Sequence, residues 1–253
     1  MESISNIKDI FQNLDSIDGF KVFISEYSGD DRAGVKKLVE SAAKKIEAIE
    51  SEIRRTNEMK KFERENASYG LLCGIDEVGR GPLAGPVYAA AVILPMDTDI
   101  LYINDSKKLS EKKREELYIE IMNKALAVGI GHVSNERIDE INILQATFEA
   151  MTMAVNELSE KPGALLIDAV HIPQLEEYMQ ISIIKGDAKS ISIAAASIIA
   201  KVTRDRVMKD YAKEYPEYGF DSNKGYGSAD HIAAIKKYGP CPIHRRSFIG
   251  NFI

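Results

Sequence analysis

The chain has 253 residues, enough for one large domain or one domain with an appendage. Its 45% apolar and 28% charged residues give an ordinary globular balance, and no apolar run approaches the ~20 residues that cross a bilayer. A net charge of −6 excludes a protein that grips nucleic acid by bulk positive charge, though not one with a local basic groove.

The opening MESISNIKDIFQNLDS is acidic where a secretory leader is basic, so a cytoplasmic location is expected. From Gly34 to about Glu65 there is no proline and helix formers dominate. Val35, Val39, Ala42, Ile46, Ile49 and Ile53 follow the 4-3-4-3-4 spacing of a short coiled-coil seam. Residues 1–69 are therefore predicted to form a small helical appendage ending in a long helix. That helix, 34–65, packs on its own domain or meets a protein partner; a monomer is expected.

Beyond Ser68 the texture changes. Leu71–Ile75 is a short apolar run that suits a buried strand, followed by a glycine-rich turn and a second strand, Pro86–Leu94. Ser110 is placed to cap a helix with Leu117, Ile121 and Leu126 on its buried side. Val128–Val133 reads as a third strand, and Ile141, Leu144, Phe148, Met151 and Val155 recur at helical spacing through about Leu158. Ala164–Ile167 and Ile181–Ile184 are compact strands, a long helix covers about Ser192 to Glu214, and a last one about Ala229 to Tyr238. Strands that first meet as hairpins and then alternate with helices predict a mixed α/β sheet with flanking helices over residues 70–253.

Acids stand at the strand ends: Asp76 and Glu77 after the first run, Asp168 after the fourth, Asp187 after the fifth. Converging carboxylates repel and raise one another's pKa, and hard divalent cations such as Mg²⁺ or Mn²⁺ relieve this. Two such ions can activate a water and stabilise the leaving oxygen of a phosphodiester. Neighbouring strand residues face opposite ways, so for Asp76 and Glu77 to share an ion the strand must end or twist there, or one must use its carbonyl. Gly79 makes an early end plausible. Asp205, in TRDR, reads as an ion-pair partner of Arg204, Arg206 or Lys209 instead of a ligand.

Gly79-Arg80-Gly81 does not open a dinucleotide fingerprint: Gly85 comes one residue late, Pro82 and Pro86 interrupt, and a strand follows. What remains is a tight turn whose backbone is open to close approach, able to hold a sugar hydroxyl such as the 2′-OH that separates RNA from DNA. Tyr226, between Gly225 and Gly227, suits stacking on a sugar better than a core. His231 and His244 read as structural. Cys73 reads as a core residue and Cys241, between two prolines, as a reduced loop thiol; neither has the spacing of a zinc site.

These segments resemble ribonuclease HII, the bacterial type 2 ribonuclease H. The likeness runs through DEVGRG at 76–81, NDSKKLS at 104–110, Asp168 in LLIDAV, KGDAKSISIAAASIIAKVTRDR at 185–206, KGYGSADH at 224–231 and PIHRRSF at 242–248. It is collinear over about residues 71–253, and Gly-Arg-Gly separates it from the sister ribonuclease HIII, whose turn looks like Gly-Thr-Gly. Residues 1–70 lie outside it apart from a faint similarity near FERE. The resemblance implies a ribonuclease H-like fold and a two-metal site of Asp76, Glu77, Asp168 and Asp187, with Mg²⁺ or Mn²⁺ as cofactor. It implies that Gly79, Arg80 and Gly81 contact the ribose 2′-OH and that Tyr226 packs on the adjoining deoxyribose. The implied substrates are RNA–DNA hybrids and duplex DNA with embedded ribonucleotides, cut 5′ to the ribonucleotide to leave 3′-hydroxyl and 5′-phosphate ends; no membrane is involved.

Binding a duplex needs cations near the acids. Lys107, Lys108, Lys185, Lys189, Lys201, Arg204, Lys224, Arg245 and Arg246 lie in the matching segments, and Ser197 with Lys201, one helical turn apart, could serve one phosphate. Lys112, Lys113 and Arg114 read as solvated surface. A strand-transferring or junction-resolving nuclease would need no 2′-OH reader, and a non-catalytic hybrid binder would need no acids.

Overall fold

The computed structural model describes residues 2–253, which divide into two compact units, the first ending at Glu58 and the second Met59–Ile253. In the first, α1 (Ile4–Gln12) and α2 (Ile17–Tyr27) each start at a serine, Ser3 and Ser16, whose side chain accepts a backbone N–H of the first turn. They pack with the long α3 (Ala33–Met59) around Ile7, Phe20, Phe23, Tyr27, Val35 and Ala42, with Val39, Ile46 and Ile49 partly buried at the margin. The heptad-like seam is thus spent on the unit's own helices. Only its end differs: Ile53 is exposed.

The helix expected over 34–65 is interrupted. It stops at Met59, and after Lys60 a short α4 (Lys61–Glu65) begins. Lys60 is buried with its Nζ 2.5 Å from Asp99 Oδ1, and Glu63, also buried, accepts hydrogen bonds from the Ser190 hydroxyl and the Ser192 N–H. Tertiary bonds here override a sequence that would otherwise continue as helix.

The second unit is a five-stranded sheet in the order β3-β2-β1-β4-β5, formed by β1 (Leu72–Val78), β2 (Val87–Ile93), β3 (Ala127–Val133), β4 (Ala164–Asp168) and β5 (Met179–Ile183). The first three strands are antiparallel neighbours, while β4 and β5 run parallel to β1. Strand residues alternate faces. Cys73, Ile75, Ala89, Ala91, Leu165 and Ile167 face α6 (Asn135–Asn156); Val78, Tyr88, Ala90 and Val92 face α5 (Glu111–Lys124) and α7 (Ile191–Glu214). Three shorter helices, α8 (Phe220–Asn223), α9 (Ala229–Tyr238) and α10 (Arg246–Ile249), share a separate cluster built on Phe220, Ile235 and Ile249.

Two expectations about buried faces fail. Leu126 is exposed, because α5 ends at Lys124 and Ala125 turns extended to lead into β3. Leu144 is exposed because α6 is kinked at Asn142 (φ 69°), whose side chain caps the second half by accepting the N–H groups of Leu144 and Gln145. The kink resets the helical face, so spacing counted across it misplaces that leucine.

Backbone contact between α7 and the sheet fixes how close the helix sits. A Cβ on Gly74 would stand 2.1 Å from the Ser192 carbonyl carbon and 2.4 Å from the Ile193 nitrogen. Gly74→Ala should lower stability by about 3 kcal/mol, an overpacking penalty that the backbone of α7 has little room to relieve. Gly29→Ala, with nothing within 4 Å of its Cβ, should stay within about 0.5 kcal/mol. Urea midpoints followed by circular dichroism check both.

Candidate active site

The acids meet because two strands are in register. Ile75 of β1 lies opposite Ile167 of the parallel β4, so Asp76 and Asp168 come next on neighbouring strands at one level, roughly 4.8 Å apart across the sheet. They share a face as well: Leu72, Ala164 and Leu166, two or four residues back along the same strands, pack on Ile193 of α7. Past β5, Lys185 turns left-handed (φ 59°) and Gly186–Ala188 forms a 3₁₀ turn that carries Asp187 back toward α7. The Gly186 N–H donates to Asp168 Oδ1 at 2.9 Å, which ties that turn to the strand end.

The early strand end expected at Asp76 does not occur. β1 continues to Val78, with Asp76 opposite Ala90 and Glu77 opposite Ala89, so Glu77 leaves the strand on the face opposite Asp76. Its Oε1 stands 3.5 Å from Arg80 Nη1.

Burial is the first cause that raises the pKa of Asp76, Glu77 and Asp187, and the other acids add to it. Glu77 and Asp168 push Asp76 up, Asp168 pushes Glu77 up although Arg80 opposes, and Asp105 and Asp168 push Asp187 up. The Ser197 hydroxyl and the Glu77 N–H, at 2.8 Å, hydrogen-bond Asp76 and moderate its shift. Lys107 faces the group: burial pulls its pKa down, but Asp76, Asp105 and Asp187 hold it above normal. Among the described residues no three His, Cys, Asp or Glu side chains stand close enough, as oriented, to hold one ion. The donor set nonetheless fits a hard divalent cation: every ligand is oxygen and the charge is under-compensated.

After β1 the chain enters the Gly79-Arg80-Gly81 turn, and two buried arginines hold it from behind. Arg245 donates from Nη2 to the Gly79 carbonyl (2.5 Å), from Nη1 to Arg80 (2.9 Å) and from Nε to Gly85 (2.9 Å). Arg204, on α7, donates to the carbonyls of Pro86, Ala84 and Lys224 at 2.9, 3.1 and 2.9 Å. Neither has a carboxylate at ion-pair distance among the described residues, and burial lowers both pKa values while leaving both charged at neutral pH. Gly79 has φ 94°, and a Cβ there would stand 2.3 Å from Arg204 Nε, so no other residue fits. Tyr226 is 41% exposed, and its Cε1 would lie 3.8 Å from a Cβ on Gly81. The turn and the tyrosine are neighbours.

The cations divide. Lys107, Lys108, Lys185, Lys189 and Arg246 are exposed. Arg204 and Arg245, counted in the sequence as duplex-binding cations, are instead wholly buried braces of the turn. Lys201 Nζ is 2.6 Å from Asp205, the Ser197 hydroxyl is 2.9 Å from that of Ser106, and the Lys224 ammonium bonds the Asp221 carbonyl. Asp205 is an ion-pair residue as expected, with Lys201 and Arg114 (3.8 Å) as its partners instead of Arg204, Arg206 or Lys209. Arg114 is not solvated surface: it also donates to the carbonyls of Ser106 and Leu109. Helical periodicity gave a signal for Arg204, which lies seven residues after Ser197 on the buried stripe of α7. Nothing local distinguished Arg245 from Arg246.

Arg245→Lys, which keeps the charge but not the three-way fork, should leave the fold intact and cut activity on any substrate at least tenfold, measured as kcat/KM. Raised carboxylate pKa values mean the folded chain binds protons that the unfolded chain has released. The part of the metal-free stability that these three acids govern is therefore fully present below about pH 4 and is lost as pH rises through their raised values. In EDTA at neutral pH, Asp76→Asn should melt a few degrees above the parent, and the gain should vanish near pH 4.

A family model described as Ribonuclease HII matches residues 73–251, and one described as Ribonuclease HII N-terminal domain matches residues 3–67. The N-terminal segment, outside the resemblance seen in the sequence, thus has its own counterpart. The ribonuclease HII of Lachnoclostridium phytofermentans is 58% identical over 247 residues, 97% of each chain. Among solved structures, the ribonuclease H2 from Pyrococcus horikoshii OT3 aligns with a TM-score of 0.59 at 30% identity, covering 70% of this chain and 93% of that one. Bst-RNase HIII in complex with Mn²⁺ aligns at 0.52 with 18% identity over 66% of this chain and 61% of that one, a likeness of fold alone. With the acidic sheet edge, the braced Gly-Arg-Gly turn and near full-length identity in agreement, the chain belongs to the ribonuclease HII family, nucleases with a ribonuclease H-like fold.

Proposed function

We propose that this ribonuclease hydrolyses the RNA strand of RNA–DNA hybrids and cuts 5′ to single ribonucleotides embedded in duplex DNA, leaving 3′-hydroxyl and 5′-phosphate ends. One observation carries the reading: the paired acids and the braced turn succeed one another at a single strand end, with Asp76 in β1 and Gly79-Arg80-Gly81 just beyond it. A group that cuts phosphodiesters and a group that can feel one sugar oxygen therefore act on the same nucleotide.

Asp76, Glu77, Asp168 and Asp187 would hold two Mg²⁺ or Mn²⁺ ions, the hard cations that an all-oxygen donor set suits. When bound, the ions supply an activated water and stabilise the charge that develops on the leaving oxygen. The chain's own part is preparation. Ser197 and the Glu77 N–H orient the Asp76 carboxylate, and the Gly186 N–H orients that of Asp168. Arg245 fixes the peptide planes of Gly79 and Arg80 by taking their carbonyls, so the turn meets the ribose 2′-OH without reorganising. Tyr226, exposed beside Gly81, offers its ring to the adjoining deoxyribose. Lys107, Lys108, Lys185 and Lys189 supply exposed charge for the backbone phosphates. No helix among the described residues is long and apolar enough to cross a membrane.

A duplex DNA with one ribonucleotide, incubated with Mg²⁺, should be cut on the 5′ side of that residue; EDTA should abolish the cut, and Asp76→Asn or Asp168→Asn should slow it by orders of magnitude. Equal cutting of an all-DNA duplex would instead indicate a nuclease without a 2′-OH reader. Mg²⁺ should also raise the melting temperature of EDTA-dialysed protein, and should do so far less for Asp168→Asn.

A further inference from the structure

We propose that His231 and His244 are positioning residues that set where the Tyr226 ring stands. They act through one continuous chain of hydrogen bonds from the Cys241 amide to the Tyr226 carbonyl. The proposal deepens the reading of Tyr226 as the residue that meets the deoxyribose, and it rests on that reading.

Both imidazoles are almost wholly buried, and their contacts leave each a single tautomer. His231 Nδ1 lies 2.8 Å from the Tyr226 carbonyl, which can only accept, so Nδ1 carries the proton. A neutral His231 then has a bare Nε2, and this atom is 3.0 Å from His244 Nε2. His244 must therefore donate from Nε2, which leaves its own Nδ1 bare. That Nδ1 accepts the Cys241 backbone N–H at 3.0 Å, with the Cys241 thiol 3.1 Å away. The Cys241 carbonyl, 3.3 Å from the same nitrogen, already accepts the His244 N–H. Each donor finds an acceptor, and the direction of the chain is fixed from one end to the other. Burial, which pulls both histidines below the usual imidazole range, is consistent with neutral rings.

The chain has a mechanical anchor. His244 pairs with Ala84 in an isolated bridge, the Arg245 N–H donates to the Leu83 carbonyl, and the Arg245 guanidinium holds the Gly79 and Arg80 carbonyls. The edges of Tyr218 and Phe220 wall the pair. Tyr226, flanked by Gly225 and Gly227, donates its N–H to the Asn223 carbonyl (2.9 Å), and its own carbonyl takes the Ser228 N–H (2.8 Å) besides the His231 ring. Through His231 its main chain is referred to the same short segment that fixes the 2′-OH turn.

The test compares substitutions that keep polar volume but move the donor. His231→Asn leaves an amide near the Nδ1 position, whereas His231→Gln places it near Nε2, away from the Tyr226 carbonyl. The readout is the ratio of kcat/KM for a DNA duplex with one ribonucleotide to kcat/KM for a uniform RNA–DNA hybrid. His231→Gln, which loses the Tyr226 carbonyl, and His231→Asn, which keeps it but loses His244, each break the chain at one link, and both should lower this ratio several-fold, toward the value of Tyr226→Ala, mainly through kcat. The double variant with Tyr226→Ala should be no worse than Tyr226→Ala alone. Parental ratios in both the Asn and the Gln variant, with Tyr226→Ala still lowering the ratio, overturn the positioning role alone. An unchanged ratio in Tyr226→Ala removes the reading of the tyrosine and this inference with it. Nitrogen NMR of the unaltered protein decides the chain without any variant: His231 must be the Nδ1–H tautomer and His244 the Nε2–H tautomer, and either one reversed breaks it.

Discussion

Parallel pairing of β1 with β4 leaves Asp76 and Asp168 no freedom of separation, and much of the catalytic unit accommodates that fact. Two carboxylates side by side on one face of a sheet repel each other, and burial, with the neighbouring acids, raises the pKa of Asp76. The unit does not neutralise them with ion pairs. It surrounds them with hydrogen-bond donors that fix their orientation, places Lys107 opposite, and brings Asp187 in on a turn tethered to Asp168. Unrelieved charge of this kind is a cost to the fold and an affinity for cations at once. The net charge of −6 is compatible with a nucleic-acid enzyme because charge is arranged locally, with acids at the sheet edge and lysines around them.

The second organising element is a pair of guanidinium groups with no carboxylate partner. Six N–H groups on Arg204 and Arg245 meet six main-chain carbonyls, so what they hold is peptide geometry, not charge. A planar fork suits this task and an ammonium does not. The turn between β1 and β2 has glycine where it needs left-handed backbone, and its own Arg80 side chain reaches back only to Glu77, at 3.5 Å. Its rigidity is borrowed from α7 and from the segment after Cys241.

Much of this was legible in the residues. The strands and the Ser110 cap announce themselves through apolar runs and their boundaries, and the four acids through their places just past those runs. The late Gly85, the prolines at 82 and 86 and the strand that follows set aside a dinucleotide binder, and the resemblance through the DEVGRG box points to a ribonuclease H-like protein. What could not be read was direction and reach. A buried arginine and a phosphate-binding arginine have the same letter, and Arg245 and Arg246 are adjacent yet wholly buried and exposed. Leu126 and Leu144 were misplaced because an apolar period says nothing of a helix that stops or kinks within it. Asp76 and Glu77 were expected at a strand end because they follow the Leu71–Ile75 run and Gly79 comes soon after, whereas the ladder with β2 carries β1 on to Val78.

The break at Lys60 has a bearing on how the protein can be divided. By sequence the natural cut lies near residue 70, after the helical texture ends. In the fold, Glu63 already belongs to the larger unit, where its carboxylate takes the Ser190 hydroxyl and the Ser192 amide at the very start of α7. A chain begun at residue 71 would leave those donors facing a void at the end of the helix that carries Ser197 and Arg204. The short α4 thus follows directly on the helical segment in sequence while its carboxylate is built into the start of α7, so a division at residue 70 cuts through the packing of the larger unit.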